Sequence, residues 1–174
     1  MLASNLLAAA KCDDYVVRKA VKEEANSIYY LVQRAFSSYG SNAFNPVAKE
    51  TIEDIYHDLE QNIVLVLEYR KMIVGSLRLV RYNEGEFYLK RFAIHPDFQG
   101  LGFGTELYYG AEKIVREEGG RRIFLHSSLE EEKLVSFYSK LGFNCLKTDR
   151  NNGYRRGYWQ KNIPGVDANE IMGW

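Results

Sequence analysis

The chain has 174 residues, of which 46% are hydrophobic and 26% charged, a balance typical of a globular protein that fits in one domain. Lysine plus arginine and aspartate plus glutamate both number 23, so the formal net charge is zero. The composition therefore offers no overall attraction to nucleic acid or to an anionic membrane, and a charged partner must be recognised locally.

The N-terminal residues 1–13 are predicted to form an arm outside the domain. The first ten residues are apolar, but they lack the charged leading region of a signal peptide and the length of a membrane span. Cys12 and Cys145 form no Cys-x-x-Cys pair, and no histidine stands at metal-ligand spacing. We therefore expect a cytoplasmic protein with no disulfide, no metal site and no membrane contact.

The first half of the chain predicts a strand, two helices and a hairpin. Residues 15–18 form a short apolar strand pattern, and apolar residues then recur at helical spacing until Gly40. Pro46 predicts the start of a second helix. The apolar run 63–67 and the run 72–80 are separated by turn residues and predict a β-hairpin.

The second half predicts four more strands and two helices. Residues 87–94 form a strand pattern that leads into a glycine-rich stretch and then a helix, which ends at Gly120. Residues 123–125 predict the next strand. Ser128 with Glu131 is a capping-box pattern that predicts the start of the last helix. The segments 143–146 and 154–160 predict a closing strand pair.

The glycine-rich stretch from Gln99 to Thr105 has the features of a phosphate-binding loop. Amides at a helix start have no partner within the helix and lie at the positive end of its dipole, so an anion is stabilised there. Glycines at 100, 102 and 104 let the backbone approach that anion. The stretch lacks the Gly-Lys-Ser/Thr ending of a nucleoside triphosphate loop and the context of a dinucleotide fingerprint.

Two motifs together resemble the GNAT superfamily of acyl-CoA-dependent N-acetyltransferases. The first is Gln99-x-x-Gly102-x-Gly104, and the second is Phe137-Tyr138-Ser139-Lys140-Leu141-Gly142-Phe143. The resemblance implies an α/β fold with a mixed sheet, the element order βααβββαβαββ and splayed central strands. It covers residues 14–162 as one domain and leaves 163–174 as a C-terminal tail.

The resemblance also implies how acetyl-CoA, as cosubstrate, would be held. In the family the pyrophosphate contacts backbone amides that correspond to Gln99, Gly100, Leu101, Gly102, Phe103 and Gly104, with a hydroxyl from Thr105. The positions of Phe92, Ala93 and Ile94 match the strand end whose backbone holds the thioester and pantetheine, like an added strand. A backbone N–H there can stabilise the oxyanion of the tetrahedral intermediate.

The resemblance suggests Tyr138 as the general acid that protonates the departing thiolate. A core aromatic is the alternative role for this residue. Glu86 is the candidate general base, although Tyr88 stands closer to the family's usual place and a solvated strand-end charge would look the same as Glu86. In the family, the helix that carries this tyrosine often has Asn at the position where this chain has Glu131. His57, His95 and His126 show no partner at catalytic or ligand spacing and are given no role.

The implied activity is transfer of an acetyl group from acetyl-CoA to a primary amine by direct attack in a ternary complex. A small-molecule amine is the expected acceptor, and a protein N-terminus remains open. The 37–45 loop, Arg155 and Tyr158 are candidate walls of the acceptor pocket. The alternatives are a non-catalytic acyl-CoA-binding regulatory module and a nucleic-acid-binding protein that uses residues 150–161. A homodimer through Trp174 or the last strand is also open.

Overall fold

A computed structural model describes residues 14–37, 45–151 and 153–165, with residue 151 described by its backbone alone. The predicted arm, Trp174 and residues 38–44 of the candidate acceptor loop lie outside these ranges. The strands and helices are β1 Tyr15–Lys19, α1 Ala25–Phe36, α2 Ile52–Gln61, β2 Ile63–Tyr69, β3 Met72–Asn83, β4 Glu86–Ile94, α3 Phe103–Glu117, β5 Arg122–Ser128, α4 Glu132–Lys140, β6 Asn144–Asn151 and β7 Tyr154–Asn162. The predicted α/β class and the order of elements are confirmed.

The seven strands are ordered β1-β2-β3-β4-β5-β7-β6 in one mixed sheet. β4 and β5 run parallel, whereas β1–β2, β2–β3, β5–β7 and β6–β7 are antiparallel. The register of β4 with β5 joins Glu86–Tyr88 to Arg122–Phe124. Residues 89–94 of β4 lie beyond this paired segment. A parallel pairing this short is expected where the central strands splay apart.

The chain folds into two compact units, each drawn from separate parts of the sequence. Unit 1 comprises the described residues up to Leu79 together with Arg91–Gly110, and unit 2 comprises Val80–Lys90 together with the described residues from Ala111 onward. In unit 1, α1 and α2 bury their apolar faces against β2 and the end of β4, in a core that includes Ile28, Val32, Val47, Ile55, Val64, Val66 and Ala93. The predicted single domain of residues 14–162 stays a prediction.

The core of unit 2 contains a cluster of aromatic rings. The ring of Tyr138 on α4 lies 6.1 Å from that of Trp159 on β7 and 5.9 Å from that of Phe143, measured between centroids. All three residues are buried. Because Trp159 is buried, the mixed basic and aromatic residues of β7 do not form a continuous exposed surface on which bases could stack.

A buried ionic cluster fixes the segment before α2 in unit 1. One guanidinium nitrogen of Arg78 lies 2.8 Å from Glu50 and 2.7 Å from Asp58, and the three side chains are almost fully enclosed. Arg91 adds a bond from Nε to Glu50 at 2.9 Å and one from its terminal nitrogen to the Pro46 carbonyl at 3.1 Å. These contacts tie residues 46–50 to β3 and to the end of β4.

Two predicted helix starts are wrong. Residues 46–49 form a turn, because the Asn45 side chain accepts a bond from the Val47 amide at 3.0 Å, and α2 begins only after Thr51, which accepts from the Asp54 amide. Likewise Ser128 does not cap α4. Its hydroxyl accepts from the Glu130 amide at 3.2 Å, and the helix begins at Glu132. Among the described residues, no helix is both long and apolar enough to span a membrane.

Candidate active site

The loop that joins β4 to α3 belongs to unit 1 and is closed by side-chain contacts. The His95 amide donates to the Val74 carbonyl at 2.8 Å, and the His95 ring nitrogen Nδ1 accepts from the Asp97 amide at 3.2 Å. The Gln99 side chain then donates back to the Ile94 carbonyl at 3.0 Å. The glutamine of the first motif therefore fixes the loop to the end of β4, and His95 has a structural role.

The glycines after Gln99 adopt backbone angles that favour glycine. Gly100 has φ 76° and Gly102 has φ 85°, in the left-handed region. A Cβ placed on Gly100 would have no atom within 4 Å, so the loop leaves open space there. The Glu106 amide is the one that bonds to the Gly102 carbonyl, at 3.1 Å. The amides that precede it belong to the helix start and are suited to an anion.

The predicted thioester-binding residues come immediately before this loop, in the same unit. Ala93 is buried, whereas Phe92 and Ile94 are half-buried. Gly75 on β3 allows β4 to approach closely, because a Cβ there would come within 2.7 Å of the Ile94 side chain. Arg91 has φ 54°, so the strand is irregular one residue before this segment. Unit 1 thus brings together the strand end and the glycine loop that the sequence identified.

Tyr138 lies in unit 2 with a buried ring, 6% exposed. Its carbonyl accepts from the Phe143 amide at 3.0 Å, which joins the end of α4 to the start of β6. The ring is fixed by the aromatic core described above, so the hydroxyl is held on a rigid support. Both the structural and the catalytic interpretation of Tyr138 are compatible with this packing.

Glu86, the predicted general base, lies at the start of β4, and both of its carboxylate oxygens accept hydrogen bonds. One carboxylate oxygen accepts from Arg122 at 2.6 Å and the other from the Asn83 amide group at 2.9 Å. Glu86 is the first residue of β4 and comes six residues before Phe92 in the sequence. The carboxylate is paired and lies at the far end of the strand from the predicted thioester-binding residues.

His126 on β5 has a partner that the sequence did not reveal. Its Nδ1 lies 3.4 Å from the hydroxyl oxygen of Tyr88 on β4, and its ring also packs edge-on against Tyr158 with centroids 5.2 Å apart. Sequence spacing indicated no triad or metal-ligand partner for His126, and its neighbour Tyr88 comes from another strand. The pairing arises from the parallel register of β4 with β5, which no local sequence pattern encodes.

His126 is exposed, and partial desolvation of its ring by the neighbouring side chains lowers its pKa below the ordinary 6.5. The positive charge of Arg156 lowers it further, and the negative charge of Asp149 opposes the change. His126 is consequently neutral near pH 7, with a lone pair available to accept a proton.

A cavity of about 220 Å³ in unit 2 adjoins this histidine. It is lined by His126, Lys147, Asp149 and Tyr158. Tyr158 was one of the two candidate acceptor residues on β7. The other, Arg155, is exposed and uses its amide to bond with Glu130. Among the described residues, no group of three or more His, Cys, Asp or Glu side chains is arranged to hold a metal ion.

Comparison with known proteins gives one consistent family. A model described as the acetyltransferase (GNAT) family matches residues 21–143. The uncharacterized N-acetyltransferase YesJ of Bacillus subtilis is 26% identical over 159 residues, covering 82% of this chain and 88% of YesJ.

Solved structures share the fold at lower identity. The paia N-acetyltransferase of Thermoplasma acidophilum, in complex with coenzyme A, superposes with a TM-score of 0.74 at 17% identity and covers 85% of this chain and 98% of its own. The yncA protein of Salmonella typhimurium, solved with its cofactor acetyl-CoA, gives a TM-score of 0.72 at 16% identity, covering 90% of this chain and 98% of its own.

Proposed function

This chain belongs to the acetyltransferase (GNAT) family, and we propose that it transfers an acetyl group from acetyl-CoA to a primary amine by direct attack in a ternary complex. The observation that carries the proposal is the loop between β4 and α3, where two glycines at positive φ precede a helix start. The family match includes this loop and the helix that carries Tyr138.

Unit 1 supplies the groups that suit the cofactor. The amides of residues 99–104 and the Thr105 hydroxyl would hold the pyrophosphate, and the open space at Gly100 is where an anion meets no Cβ. The backbone of residues 92–94 would hold the pantetheine and stabilise the oxyanion, an effect typically worth about 3 kcal/mol per donor.

Unit 2 supplies the groups that suit proton transfer. We assign the general base to His126 rather than Glu86, because Glu86 is paired with Arg122 and lies at the start of β4. In the tautomer whose Nδ1–H donates to the Tyr88 oxygen, Nε2 holds the lone pair that accepts the amine proton. The amine nitrogen then bonds to the acetyl carbon, the carbon–sulfur bond breaks, and the Tyr138 hydroxyl protonates the thiolate.

Calorimetric titration of acetyl-CoA tests the cofactor. We expect the Gly102→Glu variant to lose binding, since it places bulk and negative charge in the loop. The matched control is Gly119→Glu, because Gly119 has φ 73° and open space around it but lies at the end of α3. A wild-type protein that fails to bind acetyl-CoA would refute the acetyltransferase proposal.

A thiol-release assay with a panel of amines tests the reaction. Turnover of at least one primary amine is expected. Binding of acetyl-CoA with no release of thiol for any amine would favour the alternative, a non-catalytic acyl-CoA-binding module. A cytoplasmic location and a homodimer remain expectations.

A further inference from the structure

The cavity in unit 2 is built on a row of side chains that crosses three strands. In the register of β5, β7 and β6, His126 pairs with Tyr158, which in turn pairs with Lys147. Neighbouring strands are about 4.8 Å apart, so the backbones at His126 and Lys147 are roughly 10 Å apart. Tyr158 lies between them, and His126 and Lys147 both line the cavity.

The charges around the cavity are unequal. Asp149 accepts two bonds from Arg156, at 3.1 and 2.9 Å, so its negative charge is already paired. Lys147 makes no ion pair with any residue that the structure describes. The other ionisable groups beside His126 are Tyr88 and Tyr158. Lys147 and Arg156 thus bring two positive charges to the cavity against the single negative charge of Asp149, which interacts with both.

The cavity is open to solvent, and its volume indicates the size of the group that it can enclose. Its volume of about 220 Å³ equals that of about seven water molecules at roughly 30 Å³ each. Pockets for larger ligands typically measure about 300–1,000 Å³. A molecule or terminal group of the size of an amino acid fits this volume.

We propose that this cavity is the acceptor site and that it takes an amine which also carries a carboxylate, with the amine at His126 and the carboxylate at Lys147. The inference rests on the proposed acetyltransferase function and names its substrate class. A polyamine would place a second positive charge beside Lys147 and Arg156, and it is therefore disfavoured.

The test compares acceptors that differ only in the carboxylate. Initial rates are measured for free amino acids and for the corresponding amino-acid amides, with each rate corrected for the fraction of neutral amine. We expect kcat/KM to favour the carboxylate about fivefold, the upper end for one exposed ion pair. In Lys147→Met this preference is lost through KM with kcat unchanged. Lys113→Met, which removes an exposed lysine on α3, keeps the preference.

A peptide substrate shows whether the acceptor is a free amino acid or the N-terminal residue of a peptide. A short peptide with an acidic N-terminal residue also presents an amine and a carboxylate, and its rate relative to the free amino acid shows which of the two fits the site. Equal use of acids and amides by the wild type, or an unchanged preference in Lys147→Met, would overturn the inference while the acetyltransferase function stands.

Binding is measured separately from turnover. The amino acids are titrated into the protein without acetyl-CoA, and the backbone amide signals of Tyr158 and of the residue at position 147 are followed by NMR. We expect shifts in the wild type and in Lys113→Met that Lys147→Met abolishes. Such shifts support the site even if no thiol is released, so a failure of the catalytic proposal is recognised on its own. Absence of shifts in the wild type would overturn the inference.

Discussion

A pair of glycine-to-alanine substitutions separates cofactor binding from backbone strain. Gly100 and Gly119 have φ 76° and 73°, and a Cβ on either would have no atom within 4 Å. Alanine at each position therefore destabilises the folded protein by the same amount, about 1–2 kcal/mol, because it must adopt the left-handed conformation, and it causes no clash. Only Gly100 lies in the loop that we assign to the pyrophosphate. There, a Cβ occupies the space of the anion and displaces it from the loop amides.

The expected change in affinity follows from the contacts that are lost. One hydrogen bond to a charged group contributes about 1.5–3 kcal/mol, so losing one raises the Kd for acetyl-CoA roughly tenfold to a hundredfold. Calorimetry measures this Kd, and urea unfolding measures stability. We expect Gly100→Ala and Gly119→Ala to lose similar stability, and only Gly100→Ala to lose affinity. Equal affinity in the two variants would refute the assignment of the loop.

Three further predictions concern the catalytic groups and the buried cluster. Tyr138→Phe is expected to lower kcat about a hundredfold with the Kd for acetyl-CoA unchanged, and an unchanged kcat would leave Tyr138 as a core aromatic. Partial desolvation lowers the pKa of His126, and the neutral form is the base. Once kcat/KM is corrected for the fraction of neutral amine acceptor, its pH profile should therefore fall only below the ordinary histidine value of 6.5. His126→Gln should abolish that acid limb in addition to slowing turnover, and a limb retained by the variant would contradict the role. Arg78→Met leaves the buried carboxylate of Asp58 without its cation and that of Glu50 with Arg91 alone, so the free energy of unfolding should fall by about 3–5 kcal/mol. The melting temperature should then fall by roughly 6–20 °C, and a change under about 2 °C would contradict that account.

The loop and its flanking elements were predictable because short-range patterns decide them. A strand that ends at Ile94, glycines that must adopt positive φ and a helix with a buried stripe each leave a local signal. The start of α2 was not predictable from Pro46. The competing Asn45 turn and the Thr51 cap give signals of similar strength, and the bonds of Glu50 with Arg78 and Arg91 that fix this segment come from distant parts of the chain.

The cavity beside His126 was not predictable, because Lys147, which lines it, follows an extra residue in the pairing of β6 with β7. Cys145 pairs with Trp159, yet Lys147 pairs with Tyr158, so Leu146 is skipped in the register. Simple alternation would place Lys147 on the same face as Cys145 and Trp159. The bulge instead turns Lys147 toward Tyr158 and His126, consistent with the use of bulges to redirect side chains near active sites. A sequence pattern cannot locate such a bulge, because β6 reads as an ordinary strand until its pairing with β7 is known.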